Sequence, residues 1–420
     1  MTRPSWLWPV LGAYLVVGAL FALFTPPWQN PDEPAHYNYV VQLAGGRLPS
    51  VETTDWDAAL VPIPPNAREV PVARYTYEDH QPPLFYALAV PLYGLFEGAL
   101  VPLRWFALAI GAVGVAGAFG TARAIFPQRP AIAALAAAIV ALLPQHLAVM
   151  ASFNNDALSQ ALIALCAWQG ARLLGRDAVP SRREALGLGV TVGLAVITKA
   201  TAYLCLPLAV LALWGTRRTS WSHWGAMLAP VLLIGLPWWA RNIALYGNAD
   251  FLGLQAHNAI VVGQPTTAEW LAQYGVGGLL RRLLQTTFQS FWGQFGWMSV
   301  PLDERWYLAL LALTLTTGAL FLAWWWREGR ALHPAQQRVL RWLSVLVAMT
   351  VLAFGWYNLQ FVQHQGRYLY PALIPFALAA SLGWTHRLGC WERHSWWVAL
   401  LAFGALDLYL LWRVILPAMS

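Results

Sequence analysis

The run Trp6–Phe24, WLWPVLGAYLVVGALFALF, is followed after TPPWQ by Asn30–Leu43, NPDEPAHYNYVVQL. The first piece has the length and apolarity of a membrane-spanning helix. Arg3 precedes it and no small-residue cleavage site follows, so it reads as an uncleaved first span rather than a signal peptide. The second piece reads as a helix that begins where the chain leaves the membrane. Asn30 is placed to cap it, Pro31 stands where its missing N–H costs nothing, and Glu33 completes the capping-box spacing. Asp32 and His36 then lie at i and i+4, on one face. We expect Asp32 to be a catalytic carboxylate at a membrane surface. The competing reading is that Asp32 and Glu33 only complement the helix N-terminus.

Composition decides the class. Of 420 residues, 58% are hydrophobic and 11% charged, with a mean hydropathy of +0.49. Soluble domains carry about a quarter charged residues, so this is an all-α polytopic membrane protein. The 25 tryptophans suit many helix ends at headgroup depth. Cys166, Cys205 and Cys390 make neither a metal spacing nor a disulfide framework. The net charge of +7 does not point to nucleic acid, because the basic residues alternate with apolar runs instead of clustering.

Further spans are expected at 104–124, 131–150, 156–175, 185–198, 201–216, 222–239, 305–326, 339–357, 367–385 and 395–414, about eleven in all. The stretches 185–198 and 201–216 are short enough to be tilted or broken. A first polar loop, 25–103, holds the opening helix, a Pro-rich middle at Val61–Pro71 and the short apolar Leu84–Phe96, expected to be a juxtamembrane or re-entrant helix. A second loop, 242–304, contains the aromatic stretch Phe288–Val300, read as headgroup packing, with an interfacial helix gating the cavity as the alternative. With the N-terminus cytoplasmic, 15 basic residues and 4 acids fall inside, against 11 and 14 outside. That asymmetry obeys the positive-inside rule and puts both long loops on the extracytoplasmic face. The expectation is one multi-pass domain, 1–420, in the cell (inner) membrane, with no separate soluble domain.

Polar residues then converge on the outer face. The first loop supplies Asp32, Glu33, His36, Glu78, Asp79 and His80. Asn154-Asn155-Asp156 opens the 156–175 span, and Lys199, the only lysine, sits between two short spans. Arg241-Asn242 ends another, and Gln363-His364-Gln365-Gly366-Arg367 opens the tenth. Charges beside a span are functional candidates by default. Arg104, Arg305 and Arg413 read instead as snorkelling side chains, and Asp407, deep in the last span, as a hydrogen-bonded structural acid. Three cations near one leaflet fit a lipid phosphate, with arginine forks matching phosphate oxygens and lysine acting as a point charge. A carboxylate beside them suits transfer from a lipid phosphate to a hydroxyl: it takes the acceptor proton while the cations stabilise the departing phosphate. Glu78, Asp79 and His80 are also compatible with a divalent metal, though three consecutive residues cannot all face one site on a regular backbone. No nucleotide motif occurs, and no other cofactor is implied.

The chain resembles the GT-C superfamily of membrane glycosyltransferases, and most closely a bacterial branch with a PPDEPxH-like first loop. The resembling elements are Pro31-Asp32-Glu33, His80-Gln81-Pro82-Pro83-Leu84, Asn154-Asn155-Asp156-Ala157, Thr198-Lys199, Arg241-Asn242 with Tyr246-Gly247, and Gln365-Gly366-Arg367-Tyr368 with Pro371. The resemblance implies a polyprenyl-phosphate-linked sugar as donor, Asp32 as catalytic base with Glu33 as its neighbour, and Lys199, Arg241 and Arg367 on the donor phosphate. It places His80 on the acceptor side. With it, His36, Glu78, Asp79, Asn155 and Asp156 are assigned to acceptor or sugar. The expected activity is inverting sugar transfer to a hydroxyl of a glycan, lipid or protein. The alternatives are a lipid or glycan transporter or flippase, whose internal repeat is not evident, and a membrane ligase using a lipid-diphosphate donor.

Overall fold

A computed structural model describes residues 6–51, 63, 67, 69–216, 219–261 and 264–419. Arg3, Arg217, Arg218 and most of the Pro-rich 61–71 stretch lie outside the described residues. Helix α1 (Leu7–Phe24) is the expected first span, and α2 (Glu33–Ala44) is the helix that follows it. After a 3₁₀ turn at Val72–Arg74 come α3 (Leu84–Leu95), the 26-residue α4 (Leu100–Ile125) and the broken pair α5 (Pro130–Leu142) and α6 (Pro144–Met150). Next are α7 (Asp156–Leu174), α8 (Arg182–Val196), α9 (Cys205–Gly215) and α10 (Trp221–Tyr246). The second loop holds α11 (Leu254–Ile260), α12 (Thr267–Trp292) and a two-stranded hairpin pairing Gln294 with Pro301 and Phe295 with Val300. The chain closes with α13 (Glu304–Arg327), α14 (Pro334–Gln360), α15 (Leu373–Leu388), α16 (Ser395–Leu410) and a last turn, α17 (Leu416–Met419).

The protein is all-α and polytopic. Among the described residues six stretches are long and apolar enough to cross a bilayer, or seven if the bent α5–α6 pair is one span. The expected eleven are not reproduced on these criteria, because several runs are short or broken. Helix α8 has 15 residues and α9 has 11, preceded by a 3₁₀ turn at Ala200–Leu204. The run 131–150 turns by 66° at Leu143, where Pro144 ends one helix and begins the next.

The Ala-rich α5 lies at the centre, buried on nearly every side. Small residues let its neighbours close in: a Cβ on Gly117 of α4 would sit 2.7 Å from the Ala164 side chain of α7. Such close backbone approach is how membrane helices gain packing without a hydrophobic driving force. Asp407 lies fully buried in α16, and neither of its oxygens has a hydrogen-bond partner among the described residues, so the expected hydrogen-bonded acid is not seen. The bend at Leu143 matters most for function. It carries the buried α6 across the bundle, so that its end delivers Phe153, Asn155 and Asp156 beneath the first loop.

Candidate active site

The first loop is anchored by a charge that apolar surroundings make costly. Arg104, one turn into α4, is 1% exposed, and Glu33 is fully buried. All five guanidinium N–H groups are used: Nε donates to Glu33 Oε1 at 2.8 Å and Nη2 to Oε2 at 2.6 Å. The others donate to the carbonyls of Ala22, Thr25 and Pro26. Glu33 also accepts from the backbone N–H groups of Trp28 (3.1 Å) and Phe153 (3.0 Å). Arg104 therefore does not snorkel. With Glu33 it ties the end of α1, the start of α2 and the turn before α7 into one node.

That node sets Asp32. The helix starts at Glu33, two residues later than the Asn30 cap implied, and Asp32 precedes it in the left-handed region at φ +65°. For a residue with a Cβ this costs about 1–2 kcal/mol, so tertiary contacts must hold it. They do. Tyr77 Oη donates to Asp32 Oδ1 at 3.0 Å, and Arg367 Nη2 donates to Oδ2 at 2.7 Å. The Asp32 side chain makes no capping bond because its oxygens are used across the site. Burial alone would raise its pKa, but the Arg367 guanidinium and the Tyr77 hydroxyl hold it below the ordinary aspartate value.

Arg367 is positioned by the glycine before it. A Cβ on Gly366 would lie 2.3 Å from the Phe291 nitrogen and 2.4 Å from the Thr287 carbonyl, so only glycine lets this turn lie flat on α12. Gly366 N–H donates to Ser290 Oγ at 2.7 Å. A second ion pair stands nearby, Lys199 Nζ to Asp156 Oδ1 at 2.7 Å. Glu78 lies between the two pairs. Among the described residues it accepts one hydrogen bond, from Gln81 at 2.7 Å, and ion-pairs with neither cation. Burial and then the Asp32 charge push its carboxyl up to about 7, against the pull of Lys199, the Gln81 amide and Arg367. His36 is within reach of the same charges. Burial, and then Lys199, drive its imidazole down to about 3, so it is neutral. Its Nδ1 meets Tyr86 Oη at 2.8 Å, and Tyr86 also accepts from Asn155 Nδ2 at 3.2 Å. Six candidates thus share one recess: Asp32, His36, Glu78, Asp156, Lys199 and Arg367, with Asn155 in its wall. Asp32 keeps a solvent-reachable edge.

Of the remaining candidates, His80 borders the site through Gln81, whose Nε2 lies 3.3 Å from the His80 Nε2, while Asp79 and Arg241 contact other groups. Asp79 accepts hydrogen bonds from Gln42 Nε2, at 3.1 and 2.8 Å to its two oxygens. His80 packs on His257, ring centroids 4.2 Å apart, with Nδ1 on the Tyr77 carbonyl. Arg241 donates to the carbonyls of Pro49 and Leu48 and to Asn242 Oδ1, and stacks over Trp238, so its contacts are with the first-loop backbone rather than the Asp32–Arg367 pair. Among the described residues no three His, Cys, Asp or Glu side chains converge as metal ligands would. Sequence reasoning missed Tyr77, Tyr86 and Arg104. Tyr77 adjoins the acidic cluster and could have been found there, but one tyrosine among 15 carries no signal of its own.

Residues 80–240 match a family model described as dolichyl-phosphate-mannose-protein mannosyltransferase. Among curated proteins, none matches the chain in sequence. Among solved structures, ArnT from Cupriavidus metallidurans bound to undecaprenyl phosphate aligns with a TM-score of 0.54 at 15% identity. The alignment covers 100% of this chain and 74% of that one. The apo state of the same protein aligns at 0.53, with the same identity and coverage. The chain has the GT-C fold. The matched segment opens at His80 and includes Asn155, Asp156 and Lys199, so it carries one of the two ion pairs; the Asp32–Arg367 pair lies outside it.

Proposed function

We propose that this protein transfers a sugar from a polyprenyl-phosphate carrier to an acceptor hydroxyl on the extracytoplasmic face, with inversion. The observation that carries the reading is the Asp32–Arg367 pair, 2.7 Å apart beside Lys199–Asp156 in a solvent-reachable recess. The matched segment of the mannosyltransferase family model and the fold shared with ArnT, solved with undecaprenyl phosphate bound, support it. The chain acts as one membrane domain, with the first-loop carboxylate Asp32 and the α12-seated Arg367 meeting in the recess.

In this mechanism both cations rest on carboxylates until the donor binds. The lipid phosphate draws Arg367 and Lys199 to its oxygens, and Asp32 is released. The acceptor oxygen attacks the anomeric carbon, and the bond from that carbon to the phosphate oxygen breaks. The acceptor proton passes to Asp32, while the leaving phosphate takes the bonding pair and is stabilised by the cations. Glu33 stays out of the chemistry, because both of its oxygens are committed to Arg104 and to backbone N–H groups. His36, Tyr86 and Asn155 line the side that meets sugar or acceptor.

The test is transfer from a polyprenyl-phosphate sugar in membranes. Asp32→Asn should abolish it while the lipid still binds. Transfer at the wild-type rate by that variant would remove Asp32 from the chemistry.

A further inference from the structure

We infer that α12 carries a second anion subsite, centred on Arg282, that holds the phosphate of a membrane lipid beside the recess. The recess reading enters only in naming a lipid phosphate as the ligand.

Helix α12 is tied at both ends to the segment that leads into Arg367. Near its start, Val362 N–H donates to the Pro265 carbonyl at 2.9 Å, and Thr267 Oγ1 donates to the Asn358 carbonyl at 2.8 Å. Near its end, Thr287 Oγ1 donates to the His364 carbonyl at 3.4 Å, and Ser290 receives the Gly366 N–H. Gly275, at φ +66° and ψ 178°, breaks the helix between these anchors and lets both ends reach one segment. Arg282 lies between them, five residues before Thr287, or about 7.5 Å of helix rise.

Arg282 is a half-buried cation with no ion-pair partner among the described residues. Its guanidinium sits 4.5 Å from the centroid of the Trp270 ring. Stacking on an aromatic face offsets part of the desolvation cost, but it leaves N–H groups unmet. Arg282 Nε, Trp270 Nε1 and His364 Nδ1 are all buried without a hydrogen-bond partner among the described residues, and His364 is 3% exposed. Arg282 and His364 also interact electrostatically. A buried donor left unpaired costs about 1–3 kcal/mol, so the Arg282 and Trp270 N–H groups call for an acceptor with several oxygens and negative charge, and His364 adds a third donor in its Nδ1–H tautomer. The same helix turns Val276, Leu280 and Leu284 outward as exposed apolar side chains. A helix with cations on one side and such a strip on the other lies in a membrane interface. A phosphate attached to an apolar chain satisfies both sides.

The test measures binding of sugar-free polyprenyl phosphate to the full chain in nanodiscs, in the wild type and in an Arg367→Ala background where the recess contributes least. Arg282→Gln should lower affinity about tenfold, equivalent to about 1.4 kcal/mol, and Arg282→Lys, which keeps the charge, should lose less. Phosphatidylglycerol and inorganic phosphate serve as competitors. Competition by either identifies a general phosphate subsite, and competition by neither identifies one read together with the prenyl chain; both outcomes retain the subsite. Unchanged affinity in Arg282→Gln, or equal losses in the Gln and Lys variants, overturns it. No transfer is needed for this readout, so a transfer-competent Asp32→Asn variant would remove the proposed reaction and leave the subsite standing.

Discussion

Arg367 and Asp32 form an ion pair 2.7 Å long across 335 residues of chain. It joins the turn after the first span to the turn before α15, so the recess exists only when the whole bundle has closed. If the pair is a resting state that the donor opens, its two halves should fail differently. Asp32→Asn is expected to lower transfer about 10²–10⁴-fold with donor binding retained. Arg367→Ala should weaken donor binding as well as transfer. Rates at saturating donor, alongside lipid binding, separate the two; identical profiles would argue against the division of roles.

Glu33 and Arg104 should behave as a structural unit. Removing one partner strands a buried charge, a loss of about 3–5 kcal/mol, so Arg104→Ala and Glu33→Gln should each melt far below the wild type. Replacing both with apolar residues of similar volume should cost less than either single change. Thermal unfolding in detergent measures this, and additive losses would contradict the node.

Glu78 predicts a pH dependence. Its carboxyl is raised in the folded protein to about 7, above the unfolded value. Its contribution to stability is therefore fully present below the unfolded value and is lost as pH rises toward and through 7. Ionised Glu78 also adds a negative charge beside the phosphate site. Donor binding should weaken as pH rises through about 7, and Glu78→Gln should flatten that limb. A wild-type binding curve flat from about pH 6 to about 8 would count against it.

Gly366→Ala should be poorly tolerated although alanine adds one methyl group. The added carbon would meet the α12 backbone, which cannot swing aside as a side chain would. Overpacking of this kind costs about 1–3 kcal/mol. Melting temperature and protease susceptibility of α12 report it.

How much of this was legible beforehand depended on distance along the chain. The membrane class followed from composition, and Asp32, Lys199 and Arg367 stood out because charge beside an apolar run needs a reason. Arg104 was misread because its partner lies 71 positions away and nothing local marks a buried arginine. The Asn30 cap was locally sound. It lost because Asp32 turns left-handed to reach Tyr77 and Arg367, and tertiary contacts outweigh capping. Arg241 shares the end of the bundle with the recess, but the carbonyls of Leu48 and Pro49 hold it on the first-loop backbone. Six or seven stretches meet the length and apolarity of a span against the eleven expected, because runs such as 185–198 and 201–216 form helices of 15 and 11 residues.

The flat seating of Gly366 on α12 has a mechanical corollary. Arg367 has no slack of its own: if α12 rocks outward to admit a lipid, the guanidinium must travel with it. Unlatching of Asp32 and displacement of α12 are then a single stroke, and the carboxylate would lie unguarded only while the helix is held aside.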